Sequence, residues 1–89
     1  MTPTKVELIK DLIWRETDDG IVVVDPTEGK VRVLNGVASD IWKKVSDTSS
    51  IASITDYIVS EYEVEQSRAE GDVSSFLQEM ADSGLMTLA

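Results

Sequence analysis

Cysteine and histidine are both absent from this chain of 89 residues. Without cysteine there can be no disulfide, no thiolate nucleophile and no Cys-ligated zinc or iron–sulfur centre, which argues against a small secreted scaffold. Without histidine, the most common general base and metal ligand is missing too. Basic residues are scarce where it matters. Residues 1–44 hold seven Lys or Arg against eight acids, whereas residues 45–89 hold only Arg68 against nine. So acidic a second half repels phosphate backbones and anionic lipid, and no nucleic-acid or membrane partner is expected. Its plainest use is solubility. No apolar run approaches the ~20 residues of a membrane span. The N-terminus lacks a signal peptide's basic-then-apolar pattern, so a cytoplasmic protein is expected.

What remains is enough for one domain. Forty-two percent of the residues are hydrophobic, sufficient for a single core but not for two. Residues 1–11 carry no strong pattern and include Pro3. They read as a flexible N-terminal arm ahead of a domain over 12–89, although Val6, Leu8 and Ile9 could cover an edge of the core.

Leu12 to Glu16 reads as a short strand, followed by the turn signal Asp18-Asp19-Gly20. Ile21-Val22-Val23-Val24 is β-branched and too short for a helix, so it forms a second strand. Asp25-Pro26-Thr27-Glu28-Gly29 turns the chain. Lys30-Val31-Arg32-Val33 then alternates polar and apolar, which predicts a third strand with one wet and one dry face. Lys30 and Arg32 would face water, and Val31 and Val33 the interior.

From Asn35 the period changes to that of a helix. Asn35 suits an N-cap, and Val37, Ala38, Ile41, Trp42 and Val45 share one face. Ile51, Ile54, Tyr57, Ile58 and Tyr62 mark a second helix. Ala69, Val73, Phe76, Leu77 and Met80 mark a third, from Gln66 to about Ser83, with Gly84 as a left-handed cap. Leu85 to Leu88 is an apolar tail that packs back on the core. The predicted class is α+β, a three-stranded antiparallel sheet followed by three helices. Ile41, Trp42, Ile54, Ile58, Val73, Phe76 and Leu77 are expected in the core.

Chemistry is hard to place on this chain. Ser46, Ser49 and Ser50 have no base to activate them. Glu61, Glu63 and Glu65 lack the glycine and the ligand spacing of a calcium loop. The five glycines are scattered singly and build no phosphate loop. No catalytic residue, cofactor or metal is expected. Two features admit a binding role. Trp42 reads as core, whereas Trp14 could serve as an aromatic anchor. The strand from Lys30 to Leu34 is either an ordinary strand or an edge whose N–H and C=O groups accept a peptide.

Four short signals occur in order: Leu34-Asn35 before a helix, Ile41-Trp42 within it, Asp72-Val73 followed by Phe76-Leu77, and Gly84-Leu85 at the end. In order and spacing they resemble the PqqD-like family over Leu12 to Leu85. These are small modules of winged helix-turn-helix type that bind leader segments of ribosomally made precursor peptides. The resemblance implies strand addition against Lys30, Val31, Arg32, Val33 and Leu34. Asp72, Val73, Phe76, Leu77 and Met80 would form the groove's other wall. It also implies a modifying enzyme or leader peptidase as second partner, with the module a monomer or weak dimer. Ile41-Trp42 and Tyr62-Glu63-Val64 look more like members serving lasso-peptide pathways than the quinone-cofactor member. Asp47-Thr48 departs from the family's frequent Asp-Gly, which alters loop geometry only. The competing class, a winged-helix DNA-binding regulator, needs a basic recognition helix that the acidic second half does not offer.

Overall fold

The computed structural model describes residues 2–89. In chain order its elements are β1 (Val6–Leu8), β2 (Trp14–Thr17), β3 (Gly20–Val24), β4 (Val31–Leu34), α1 (Gly36–Asp47), α2 (Ile51–Tyr62), α3 (Gln66–Asp82) and β5 (Met86–Leu88). Strands β2, β3 and β4 form an antiparallel meander in that order, and the three helices follow it.

Two tight turns set the meander. Gly20 opens β3 at φ +148°, and a Cβ there would lie 2.0 Å from the Leu34 carbonyl oxygen, so only glycine fits. At the second turn the Asp25 carboxylate accepts from the N–H groups of Thr27 (2.8 Å) and Glu28 (3.2 Å).

The alternation on β4 is the reverse of the one expected. Arg32 pairs with buried Val23 and Leu34 with buried Ile21, so both face the helices. Val31 and Val33 point outward, 60% and 64% exposed. The last apolar residue of the strand, Leu34, fixes the phase, because a large aliphatic side chain next to the first helix is worth more inside than two valines at the rim.

Within the stretch expected to be a flexible arm, residues 4–8 are tied to the rest of the fold, and Met1 lies outside the described residues. Val6–Leu8 pairs antiparallel with Met86–Leu88, and Val6 is 1% exposed within the core. The N–H groups of Thr4 and Lys5 both donate to the Ala89 carbonyl. Val6 and Leu8 alternate with Glu7, and the apolar tail supplies the facing strand. This second, two-stranded sheet ties the chain ends together.

The helices begin and end for local reasons. Asn35 is extended at the N-cap of α1 but makes no side-chain capping bond, whereas the Ser50 hydroxyl caps α2 by accepting from Ser53 N–H at 3.2 Å. After α3 the chain reverses at Gly84, φ +78°, and Leu85 N–H donates back to the Met80 carbonyl at 2.9 Å. Ile41, Trp42, Ile54, Ile58, Val73 and Leu77 meet in the core as expected. Phe76 is only half-buried against it. Trp14 stacks edge-on against Trp42 at 5.9 Å between centroids. Around this core, the Tyr62 hydroxyl donates to the Asp40 carboxylate, and Lys43 bridges Glu16 (3.2 Å) and Asp40 (3.6 Å), joining α1 to α2 and to β2.

Candidate functional site

Among the described residues, β4 has β3 on one side and no strand on the other. The ladder's parity shows which backbone groups this leaves open. Asp25 N–H donates to the Lys30 carbonyl at 2.7 Å, and Val24 N–H to the Ile13 carbonyl at 3.0 Å. In an antiparallel pair, residues alternate between bonding the neighbour and pointing away from it. Counting from Asp25 opposite Lys30, the pairs Val23–Arg32 and Ile21–Leu34 carry the β3–β4 bonds. The N–H and C=O groups of Val31 and Val33 therefore face the open edge. Their side chains stand on the exposed outer face. There they extend a row across the sheet with Val22 and Val24, and Ile13, 69% exposed, lies next to Val24.

Beneath that edge lies the C-terminal half of α3. At 3.6 residues per turn, Asp72, Phe76, Glu79 and Ser83 follow one another down a single flank of the helix. Arg32 reaches across to this flank, donating to Ser83 Oγ at 2.9 Å and to Glu79 Oε1 at 3.3 Å. Between strand and helix is an open depression of about 620 Å³, lined by Arg32, Ser75, Glu79 and Ser83 among others. A second depression, about 680 Å³, lies elsewhere, between residues 2–4, the start of α2 and the N-terminal half of α3, where Gly71 and Ser74 leave space.

The residues singled out from the sequence divide into three groups. Arg32, Val31 and Val33 lie on the edge strand, with Lys30 just before it, exposed and 3.6 Å from Glu28. Asp72 and Phe76 lie on the flank of α3, Asp72 3.8 Å from Arg68. Val73, Leu77 and Met80 are 0–1% exposed, and Leu34 is at 9%. These four support the groove from inside and offer little surface to a ligand. Glu79 and Ser83, which hold Arg32, were not picked out. Their spacing from Phe76, three and seven residues on, places them on its flank and was the available signal.

Tyr62 stands apart from this edge. Its hydrogen bond to Asp40, followed by burial, pushes the phenol up to about 12. Among the described residues, no group of three or more acidic, His or Cys side chains is placed to hold a metal ion. None of the described helices is long and apolar enough to cross a membrane.

This fold recurs in known proteins. TbiB1, solved in complex with the TbiA(beta) leader peptide, is 26% identical, with a TM-score of 0.83 over 90% of this chain and 93% of that one. A lasso peptide synthetase B1, complexed with its leader peptide, is 29% identical, with a TM-score of 0.81 over 93% and 98%. The PqqD truncation of Methylobacterium extorquens PqqCD, a ribosomally synthesised and post-translationally modified peptide (RiPP) recognition element, shares the fold at 16% identity. Its TM-score is 0.74 over 93% of this chain and 88% of that one. Among curated proteins no sequence matches the chain. The model of the family described as coenzyme PQQ synthesis protein D (PqqD) matches residues 20–86. That span is most of the chain and takes in β3, β4, the three helices and Arg32, so the chain belongs to the PqqD family.

Proposed function

We propose that this protein binds the leader segment of a ribosomally made precursor peptide as an added strand on β4 and presents it to a modifying enzyme or leader peptidase. The observation that carries the proposal is the open edge, where the backbone groups of Val31 and Val33 face away from β3 above the flank of α3. Backbone bonds at such an edge supply affinity with little sequence demand, and alternate side chains set specificity. The two structural relatives solved with leader peptides support the same role for this chain. The protein would perform no chemistry itself. Its contribution is to raise the effective concentration of the peptide's modifiable segment at the enzyme. A leader disordered when free loses entropy on binding, which offsets part of the contact energy.

The net charge of −9 and the lone base of α3, Arg68 facing Asp72, speak against the DNA-binding alternative. The test is an amide-shift titration of isotope-labelled protein with the leader of its cognate precursor peptide. Shifts are expected at Val31–Leu34 and on the α3 flank around Phe76 and Glu79. Shifts confined to Ile51–Tyr62 would sink the site while leaving the fold intact.

A further inference from the structure

A peptide strand arriving at β4 would find its inner side already engaged. The Arg32 guanidinium is held by Ser83 and Glu79, and Lys30, the other cation of this strand region, is exposed and paired with Glu28 instead. Resting on the strand-addition reading, we infer that Arg32 selects peptides with a carboxylate side chain opposite it, and that Glu79 holds the guanidinium until such a peptide arrives.

The direction of the side chains carries this. Residues opposed across a ladder point to the same face, so a peptide residue opposite Arg32 points inward, toward α3. Arg32 spends its own backbone groups on Val23 of β3. In an antiparallel pairing, its opposite number on the peptide therefore sits at a non-hydrogen-bonded position. Side chains approach closest there, with Cα atoms about 4.5 Å apart.

The chemistry fits an exchange of carboxylates. A guanidinium offers five N–H donors in a planar fork suited to bidentate carboxylate binding. Glu79 takes only one of them, at 3.3 Å, and its side chain is 62% exposed against 31% for Arg32. Such a pair is weak and readily displaced. With Glu79 and Asp82 lining the same depression, an acidic peptide side chain that missed Arg32 would meet like charge. A carboxylate seated on Arg32 is favoured over one placed elsewhere along the depression.

The neighbours complete the pattern. Peptide residues on either side of the acid point outward beside Val31 and Val33, where apolar or β-branched side chains pair best. The ligand class is thus an extended segment with one acid between two apolar residues.

Selection of short random peptides displayed on phage against the full chain tests this, followed by titration of the enriched peptides and their Asp-to-Asn or Glu-to-Gln counterparts. Enriched peptides should carry the acid-between-apolar pattern. The acidic form should bind about two- to five-fold tighter than the amide form. Arg32→Gln should erase that difference, and Arg32→Lys should keep part of it. Glu79→Gln, on an exposed side chain, should tighten the acidic peptide about two- to five-fold and the amide form by less. Enrichment of peptides without the acid, or a Glu79→Gln effect equal for both forms, overturns the inference while strand addition stands. If Val33→Pro enriches the same peptides at the same affinity, strand addition itself fails, and the inference with it.

Discussion

Trp42 has no exposed surface, and its indole N–H has no hydrogen-bond partner. Both facts bear on what the residue contributes. Its ring fills the centre of the core and packs edge-on against Trp14, so Trp42→Ala should cost about 3–5 kcal/mol, most of the stability of so small a domain. Trp42→Phe loses ring volume but also removes a buried donor left unsatisfied, and should cost clearly less. Urea denaturation of the two variants separates these. An alanine variant as stable as the parent would mean that the ring does not pack as described. Tyr62 gives a pH signature. Its folded pKa, about 12, lies above the ordinary 10, so the folded state holds the phenol proton more tightly. The resulting stability is fully present below pH 10 and is lost as the pH rises through 12. Tyr62→Phe should flatten that part of the stability profile relative to the parent, as thermal melts between pH 9 and 12 would show. Most residue environments were legible in the sequence. Arg32 was not. Strict alternation gives two phases, and the choice depended on Leu34 being inside, a contact with the helices that a pattern of period two does not contain.

At the scale of elements, the three helices were readable because each carries a continuous stripe and a local stop. The stripe of α2 ends at Glu63 in the left-handed region, and that of α3 at Gly84. β1 and β5 were not readable. Each has three residues and pairs with a segment about eighty positions away, so no local signal distinguishes them from an arm and a tail. The groove was half legible for a related reason. Helical periodicity picks out the buried stripe of Val73, Leu77 and Met80, whereas the flank that meets β4 is polar and looks like ordinary solvated surface. Gly71 is the one residue of α3 that works against its helix. It lies mid-helix with nothing within 4 Å of where a Cβ would stand. Gly71→Ala should stabilise the protein by about 1 kcal/mol, raising the melting temperature by roughly 4–8 °C. Because Gly71 lines the second depression and not the β4 edge, leader affinity should stay unchanged. A loss of affinity in this variant, measured by titration with the same leader peptide, would move the site to that depression.

For the molecule as a whole, stability and binding should be separable, because the proposed strand addition would draw on backbone groups of β4 that the fold leaves open. Arg32 and Leu34 bond β3, whereas Val31 and Val33 turn their N–H and C=O groups to the open edge. Proline at position 33 removes an N–H that supports no part of the fold, on an edge strand, where proline is tolerated. Its side chain replaces a valine that is 64% exposed, so little burial is lost. Val33→Pro should therefore retain a cooperative melt within about 1 kcal/mol of the parent. It should also weaken the leader peptide about ten-fold or more, since one strand bond is lost and the ring obstructs the approach of its neighbours. Charge acts differently. Arg32→Glu puts a second acid beside Glu79 and should weaken binding several-fold at low salt, with the difference shrinking as salt screens it. Two titrations at low and high salt, beside denaturation curves for both variants, read all of this at once. The backbone variant should lose affinity equally in both salts and the charge variant mainly in one. A Val33→Pro protein that unfolded would show instead that the N–H of residue 33 belongs to the β3 ladder, and would shift the open backbone groups to Arg32 and Leu34.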